Sequence, residues 1–156
     1  VFGATKAETS SEVLVNWERL KADEKGVRGI EDDIPATLPA LARAGKVQRR
    51  AAGWGFEWRS AQSALAALRE EVDELEAAIQ AGEADNAEEE IGDVLFSVVA
   101  VARKLDVDAE SALRRTIRGF AERYERFRAI VRERGLDLDA MSEADIRALF
   151  RQARTP

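Results

Sequence analysis

Two acidic clusters lie near the middle of this chain. From Glu70 to Asp93 the sequence holds eleven carboxylates and neither lysine nor arginine. Within each cluster the acids recur three or four residues apart, a spacing that places side chains on one face of an α-helix. Acidic faces on two neighbouring helices repel each other unless a cation lies between them. The pattern therefore predicts a site for a divalent cation, with oxygen ligands throughout.

Four of these acids are the candidate metal ligands. They come in pairs three residues apart, one pair from each cluster: Glu71 and Glu74, then Glu90 and Asp93. Oxygen ligands suit Mg²⁺, and Mn²⁺ is also possible. Di-iron helical bundles usually add histidine, which this chain lacks. The alternative interpretation is an acidic face turned to water, but no Lys or Arg lies four residues before or after any of these acids.

Composition limits the chemistry further. The chain has 156 residues, of which 46% are hydrophobic and 35% charged, and only three prolines, as expected of one soluble helical domain. The absence of cysteine and histidine excludes disulfides, zinc–thiolate sites and histidine bases. The net charge of −6, without a basic tract, argues against a nucleic-acid partner, and no apolar run has the length of a membrane span. We therefore expect a cytoplasmic protein with no membrane and no nucleic-acid partner.

Helical periodicity extends over most of the sequence, and no strand pattern competes with it. Capping residues and glycines predict helices with these approximate bounds: Ser10 or Ser11 to Lys25, Thr37 to Ala52, Ser60 to Gln80, Asp85 or Asn86 to Leu105, Asp108 to Arg134, and a short helix after Ser142. Gly82 and Gly135 follow two of these helices as predicted stops. The predicted fold class is therefore all-α.

Apolar spacing predicts how these helices pack. On the helix from Ser60, large apolar residues alternate at spacings of three and four, which is typical of a helix–helix seam. The seam consists of Leu65, Leu68, Val72, Leu75 and Ile79. The stretch Val94–Ala102 carries no charge, so we expect it to be buried on nearly all sides. One hairpin cannot bury both, which favours an antiparallel helix bundle completed by dimerisation, although the helix from Asp108 could cover the second stretch.

A second stripe lies beside the seam on the same helix. It consists of Ala64, Ala67, Glu71, Glu74 and Ala78. Two candidate ligands are thus flanked by small side chains, which leave room for another helix or for a ligand. On the following helix, Asp93 directly precedes the uncharged stretch, so its carboxylate is expected to need a cationic partner.

The two acidic clusters resemble the signature of a known family. The MazG nucleoside triphosphate pyrophosphohydrolases carry Glu-Glu-x-x-Glu, a spacer and then Glu-x-x-Asp. The matching segments are Glu70–Glu74 and Glu90–Asp93, with fifteen residues between them. Other similar segments are Lys46–Ala52, Gly55–Trp58, Glu88–Phe96, Val101–Arg103 and Ala112–Thr116, together with Phe120 and Arg123. The chain is therefore identified as a member of the MazG family, and the resemblance covers nearly its whole length.

The resemblance also predicts the domain organisation. Residues 1–35 are expected to be an N-terminal helix and linker, because Ser10–Leu14 and Trp17–Lys21 resemble the tail of the first repeat in two-repeat members. Residues 36–156 are expected to be the MazG-like pyrophosphohydrolase domain, as the second, C-terminal repeat. The first residue is Val rather than Met, which agrees with a first repeat that precedes this sequence.

The resemblance implies an activity and an assembly. MazG-like proteins are helical homodimers of the all-α NTP pyrophosphatase type, and they cleave an NTP or dNTP to the monophosphate and pyrophosphate. The family's metal-binding positions correspond to Glu71, Glu74, Glu90 and Asp93. We expect Mg²⁺ at these residues and water as the nucleophile. Glu70 is the candidate general base, because it adjoins the site without lying on the ligand stripe.

Basic and aromatic side chains are the candidate contacts to the substrate. Arginine binds phosphate oxygens in a bidentate manner, and a ring from the aromatic-rich stretch Gly53–Trp58 could stack on a base. The candidates are Lys46, Arg49, Arg115, Arg123 and Trp58. Arg123 falls on a basic position that contacts phosphate in the family. The lysine that often precedes it is replaced here by Gly119, and Arg115, one turn earlier, could substitute for that lysine.

Two other interpretations remain open at this point. The missing cation at Gly119 would suit a catalytically degenerate helical module that dimerises or binds a partner. A narrower pyrophosphatase, specific for dUTP or dCTP, is also compatible with the acidic motif. Metal titration separates the first of these from an enzyme, because a degenerate module would show no rise in melting temperature.

Overall fold

Five α-helices account for most of the described part of the chain. A computed structural model describes residues 29–154. The helices are α1 (Ala40–Gly53), α2 (Ala61–Ala81), α3 (Ala84–Lys104), α4 (Ala109–Arg134) and α5 (Glu143–Gln152), with a 3-10 turn at Leu138–Ala140. No strand occurs within residues 29–154, so the all-α prediction is confirmed for them. The helix predicted from Ser10 or Ser11 to Lys25 lies outside the described residues.

Local signals at three helix ends agree with the predicted caps. The Ser60 hydroxyl accepts a hydrogen bond from the Ser63 backbone N–H at 3.1 Å and so caps the start of α2. Gly82 ends α2 in the left-handed conformation, with φ of 71°, which glycine adopts without a steric penalty. At the start of α5, the Ser142 hydroxyl accepts from the Asp145 N–H at 3.2 Å. These ends are set by contacts within four residues, which is why the sequence predicts them.

Two helix starts differ from the prediction. α1 begins at Ala40 with Pro39 as its N-cap, rather than after a cap at Thr37. A proline disfavours helical backbone in the residue before it, so the helix does not extend back through Leu38. α3 begins at Ala84, before the predicted starts, and Asp85 lies in its first turn. There the carboxylate interacts favourably with the positive end of the helix dipole.

The described part of the chain divides into two compact units, and the boundary lies between Glu110 and Ser111. In the first unit, α2 and α3 pack as an antiparallel hairpin around the short connection Gly82–Glu83, and α1 packs against α3. Gly45 of α1 is buried against α3, where an added Cβ would lie 3.7 Å from Val99 Cγ1. The backbones of α1 and α3 therefore lie close together at this point.

The side of α2 that packs against α3 is the stripe of small residues. Ala64, Ala67 and Ala78 are buried. The predicted seam is instead largely exposed at Leu65, Val72 and Ile79, with Ile79 exposed to 65%. The hairpin alone therefore does not bury this seam, and its burial by a second copy of the chain stays a prediction. Alanines allow the two helix backbones to approach closely, and the bulkier side chains are consequently turned away from the hairpin interface.

The uncharged stretch of α3 is buried on one side only. Val99 and Ala100 are buried in the core, whereas Leu95, Phe96 and Val98 are exposed, Leu95 to 49%. Burial of this stretch on nearly all sides is therefore not reached within the hairpin and stays a prediction. Both α1 and α2 contact α3, and together they cover the side that carries Val99.

The second unit has a core of its own. Phe127 of α4 and Leu149 of α5 are buried together, with further apolar side chains packed around them. Arg126 donates from Nε to the carbonyl oxygen of Ala153 at 3.0 Å, which satisfies a carbonyl at the end of α5. Across residues 29–154, no helix combines the length and the hydropathy that a bilayer span requires.

Candidate metal centre

The α2–α3 hairpin brings three of the four predicted ligands together. Glu71 comes from α2, and Glu90 and Asp93 come from the first half of α3. One carboxylate oxygen from each residue lies within 4.8 Å of the corresponding oxygens of the other two. Glu71 and Glu90 are half-buried, whereas Asp93 is exposed. The group therefore opens to solvent on one side, which is where a ligand could enter.

Mutual repulsion and burial alter the acidity of this group. The largest cause that raises the pKa of the Glu71 carboxyl is its removal from water. Neighbouring carboxylates raise this pKa further, in the order Asp93, Glu74 and Glu70. The pKa of Glu90 is raised in the same way, first by desolvation and then by Glu74 and Asp93. Within residues 29–154, no Lys or Arg forms an ion pair with any of the three grouped acids.

One carboxylate oxygen of Glu90 indicates whether the acidic group suits a cation. Glu90 Oε2 is buried and has no hydrogen-bond partner among residues 29–154. A buried carboxylate oxygen without a donor is costly to desolvate, and here it lies among other acids. A hard divalent cation would supply the missing positive charge and takes oxygen ligands at such positions. The donor set of Glu71, Glu90 and Asp93 therefore fits a divalent metal ion.

Glu74 and Glu70 lie close to the group without belonging to it. Glu74 is exposed, and its carboxylate is near enough to raise the pKa values of both Glu71 and Glu90. Glu70 is exposed as well and raises only that of Glu71. The role of Glu74 as a fourth ligand and that of Glu70 as the base stay predictions.

A cavity of about 490 Å³ lies beside the acidic group in the same unit. Its walls come from α1, from the aromatic loop between α1 and α2, and from α2 and α3. Glu71 is part of the wall, and Trp58, which is 41% exposed, is another part. Of the other predicted substrate contacts in this unit, Lys46 is exposed on α1 and Arg49 is half-buried there, and neither is among the described lining residues.

Comparison with known proteins shows which family this chain belongs to. The family model for the MazG nucleotide pyrophosphohydrolase domain matches residues 59–137, which include both acidic clusters. The chain belongs to the MazG family. This confirms the resemblance drawn from the acidic motif and its flanking segments.

Two relatives illustrate the similarity. A nucleoside triphosphate pyrophosphohydrolase of Escherichia coli (strain K12) is 37% identical over 159 residues, which cover 99% of this chain and 60% of the relative. The nucleoside triphosphate pyrophosphohydrolase/pyrophosphatase MazG of Thermotoga maritima is 37% identical over 127 residues, covering 80% of this chain and 49% of the relative. The chain thus spans between about half and three fifths of the length of these relatives.

The remaining predicted contacts of this MazG chain, Arg115 and Arg123, lie in the second unit. Arg115 is exposed on α4. Arg123 is half-buried, donates from Nε to the Phe150 carbonyl oxygen at 2.9 Å, and places Cζ 4.1 Å from the Phe150 ring centroid. Burial, followed by the charges of Arg154 and Arg126, lowers the pKa of Arg123. Contact of either residue with substrate stays a prediction.

Reasoning from the sequence of this MazG protein did not assign Gln48, Glu57 and Arg103 to the site. All three line the cavity beside Glu71, and Arg103 and Gln48 are buried. A signal was present, because Arg103 follows directly on the uncharged stretch of α3. An arginine at the end of a buried helical face needs a carboxylate or carbonyl partner. The identity of that partner depends on a contact between residues 46 positions apart, between Arg103 and Glu57.

Proposed function

We propose that this MazG protein is a metal-dependent nucleoside triphosphate pyrophosphohydrolase, which converts an NTP or dNTP and water into the monophosphate and pyrophosphate. The observation that carries the proposal is the grouping of Glu71, Glu90 and Asp93, together with the unpartnered Oε2 atom of Glu90. The names of the E. coli and T. maritima relatives support the reaction class.

Mg²⁺ is the proposed ion, with Mn²⁺ as an alternative, and Glu74 is the proposed fourth ligand. A bound cation of this kind neutralises charge on the phosphate oxygens of the substrate. Glu70 is proposed to accept the proton that the attacking water loses, at one of its carboxylate oxygens. Its position next to Glu71, outside the group of three, supports that assignment.

The cavity beside Glu71 is proposed to hold the nucleoside part of the substrate. Its volume of about 490 Å³ lies within the range of small-molecule sites, and Trp58 offers a ring on which a base could stack. The triphosphate would then extend from the cavity toward the acidic group. Contacts to phosphate from basic side chains are proposed from the family resemblance, namely from Lys46, Arg49, Arg115 and Arg123.

A homodimer is part of the proposal. In the first unit, large apolar side chains are exposed along both helices of the hairpin, at Leu65, Val72 and Ile79 on α2 and at Ile91 and Leu95 on α3. Large exposed apolar surfaces on a soluble protein mark interaction sites. A second copy of the chain would cover this surface by two-fold symmetry.

The test is a pyrophosphate-release assay across NTPs and dNTPs, in Mg²⁺ and in EDTA. Glu90→Gln should lower kcat by about a hundredfold or more, because it removes a charge from the centre of the ligand group. Glu88→Gln is the matched control, since Glu88 is exposed on the same helix and lies outside the group. Release that persists in EDTA, or a Glu90→Gln variant as active as the control, would contradict the proposal.

A further inference from the structure

A network of polar contacts runs along the wall of the cavity in the first unit, with Arg103 of α3 at its centre. Arg103 is only 8% exposed. Its Nη2 lies 2.7 Å from Glu57 Oε2 in the loop between α1 and α2. Its Nη1 donates to Gln48 Oε1 of α1 at 3.5 Å, and Gln48 Nε2 donates to the Phe96 carbonyl oxygen at 2.8 Å. The network therefore joins α1, the loop and α3.

Glu57 is the residue that attaches the end of the aromatic loop, defined here as Trp54–Arg59. Its first half is held by backbone hydrogen bonds, the last of them from the Phe56 N–H to the Ala51 carbonyl oxygen at 2.9 Å. In the part of the chain that the structure describes, no backbone N–H between Glu57 and Ser60 donates to another backbone group. The Glu57 carboxylate instead accepts from the Trp58 N–H at 2.9 Å and binds Arg103. Side-chain contacts therefore hold this half of the loop.

A contribution to folding stability does not by itself explain the buried ion pair between Arg103 and Glu57. Within the described part of the chain, Arg103 Nε is buried without a hydrogen-bond partner, so the guanidinium is not fully satisfied. Desolvation of such a cation offsets much of its attraction to Glu57, and a well-packed apolar residue is often no less stabilising at a buried position. The ion pair does fix the relative orientation of the two side chains, because a guanidinium binds a carboxylate in a restricted geometry.

The residues of this network form part of the wall of the cavity beside the acidic group. Gln48, Glu57 and Arg103 line it, as do Phe56 and Trp58 of the aromatic loop. Glu57, the acid of this network, is not one of the three grouped acids. A shift of the loop would therefore change the shape of the cavity while leaving the carboxylates in place.

We propose that Arg103 is a positioning residue: through Glu57 it holds the aromatic loop against α3, and so it controls how tightly the nucleoside part of the substrate binds. This inference rests on the proposed function. Cleavage of the phosphoanhydride depends on the acidic group, so the effect of Arg103 falls on binding. The ligand class that depends on Arg103 is accordingly a nucleoside triphosphate with its base attached, whereas inorganic triphosphate, which has no nucleoside, does not depend on it.

Steady-state kinetics of Arg103→Met and Glu57→Gln test the proposal. Both variants should raise KM for the preferred NTP by about tenfold or more with kcat changed less than about twofold, the pattern of a loss of uniform binding. Lys104→Gln is the matched control, because Lys104 Nζ contacts the same carboxylate only at 3.4 Å. It should leave KM within about twofold, since partly exposed ion pairs contribute little.

Fluorescence of Trp58 gives a readout that does not depend on catalysis. Trp17 and Trp54 are replaced by Phe in every protein of this comparison, so that Trp58 is the one remaining tryptophan of the three in the sequence. Glu57→Gln should shift its emission to longer wavelength and increase quenching by acrylamide, because the loop end is released. Lys104→Gln should do neither, and Arg103→Lys should restore part of the signal lost in Arg103→Met.

The outcomes separate this inference from the proposed function. An active enzyme in which Glu57→Gln leaves KM and the Trp58 signal unchanged would overturn the positioning role alone. A fall in kcat with unchanged KM would overturn it as well. If Arg103→Met does not fold, Glu57→Gln decides, because Glu57 lies in a loop and its side chain is 25% exposed. If the wild-type protein releases no pyrophosphate from any triphosphate, the proposed function is contradicted, and so is the predicted rise in KM.

Discussion

Glu71 of α2 and Glu90 of α3 bring carboxylate oxygens within 4.8 Å of each other across the helical hairpin. Nothing in the described residues 29–154 neutralises this pair through an ion pair, and Asp93 adds a third acid at the same distance. Like charges at this separation in a half-buried site oppose folding. The hairpin therefore holds a repulsive arrangement that a cation would relieve, which makes metal binding measurable as stability.

We predict that the metal-free protein loses stability as the pH rises. The pKa values of Glu71 and Glu90 are raised above the ordinary value of 4.5 in the folded state. Between that value and the raised pKa the folded protein holds more protons than the unfolded chain, so the free energy of unfolding falls as pH increases through this window. Urea unfolding in EDTA at a series of pH values measures the effect.

The matched variant for this experiment is Glu71→Gln combined with Glu90→Gln, which carries no titrating group at either position. The difference in unfolding free energy between this variant and the unmodified protein should grow above pH 4.5 in favour of the variant. Addition of Mg²⁺ at neutral pH should raise the melting temperature of the unmodified protein only. A difference that is independent of pH would show that the pKa values of the two carboxyls are not raised in the folded protein.

A second prediction concerns Glu74, which sequence analysis places among the ligands and which lies outside the group of three in the structure. If Glu74 joins the metal site on binding, Glu74→Gln should raise the Mg²⁺ concentration needed for half-maximal activity by about tenfold or more. Glu76→Gln serves as the control, because Glu76 is exposed and accepts a hydrogen bond from Gln80 at 3.1 Å. Equal Mg²⁺ dependence of the two variants would remove Glu74 from the ligand set.

The sequence predicts those parts of the fold that depend on residues close together in the chain. The Ser60 cap involves Ser63, three residues away, and Gly82 ends α2 through its own backbone freedom. The pairing of Glu90 with Asp93 follows from helical spacing in the same way. These features depend on local geometry, which the sequence specifies directly.

Features that depend on distant contacts were predicted less well. The seam with Val72 and the stripe with Ala78 have the same periodicity on α2, and only the packing of α3 decides which of them is buried. The usual preference for burying large apolar residues favours the seam, which is exposed in the single chain. The contact of Arg103 with Gln48 joins residues 55 positions apart and has no local sequence signal. Periodicity therefore predicted the helices and the acidic group, and did not predict the cavity wall.

The third prediction concerns Gly119, which stands where the family often has lysine. Gly119 lies within α4, and an added Cβ would meet no atom of the described residues within 4 Å. Gly119→Lys should therefore be accommodated and should lower KM for an NTP by providing a cation for phosphate. Gly119→Ala is the control, because both substitutions should stabilise the helix by about 0.5–1 kcal/mol and only one adds charge. Identical KM values for the two variants would show that position 119 does not contact the substrate.

The last prediction concerns the exposed apolar seam of α2. Val72→Asp places a charge in the middle of the seam, between Leu65 and Ile79, which are also exposed. If a second copy of the chain covers this surface, the charge should convert the dimer to a monomer in sedimentation velocity, because it cannot be desolvated at an apolar interface without a partner. Ala77→Asp adds the same charge at an exposed position of α2 outside the seam and should leave the dimer intact. A Val72→Asp protein that sediments as the unmodified one does would place the interface elsewhere.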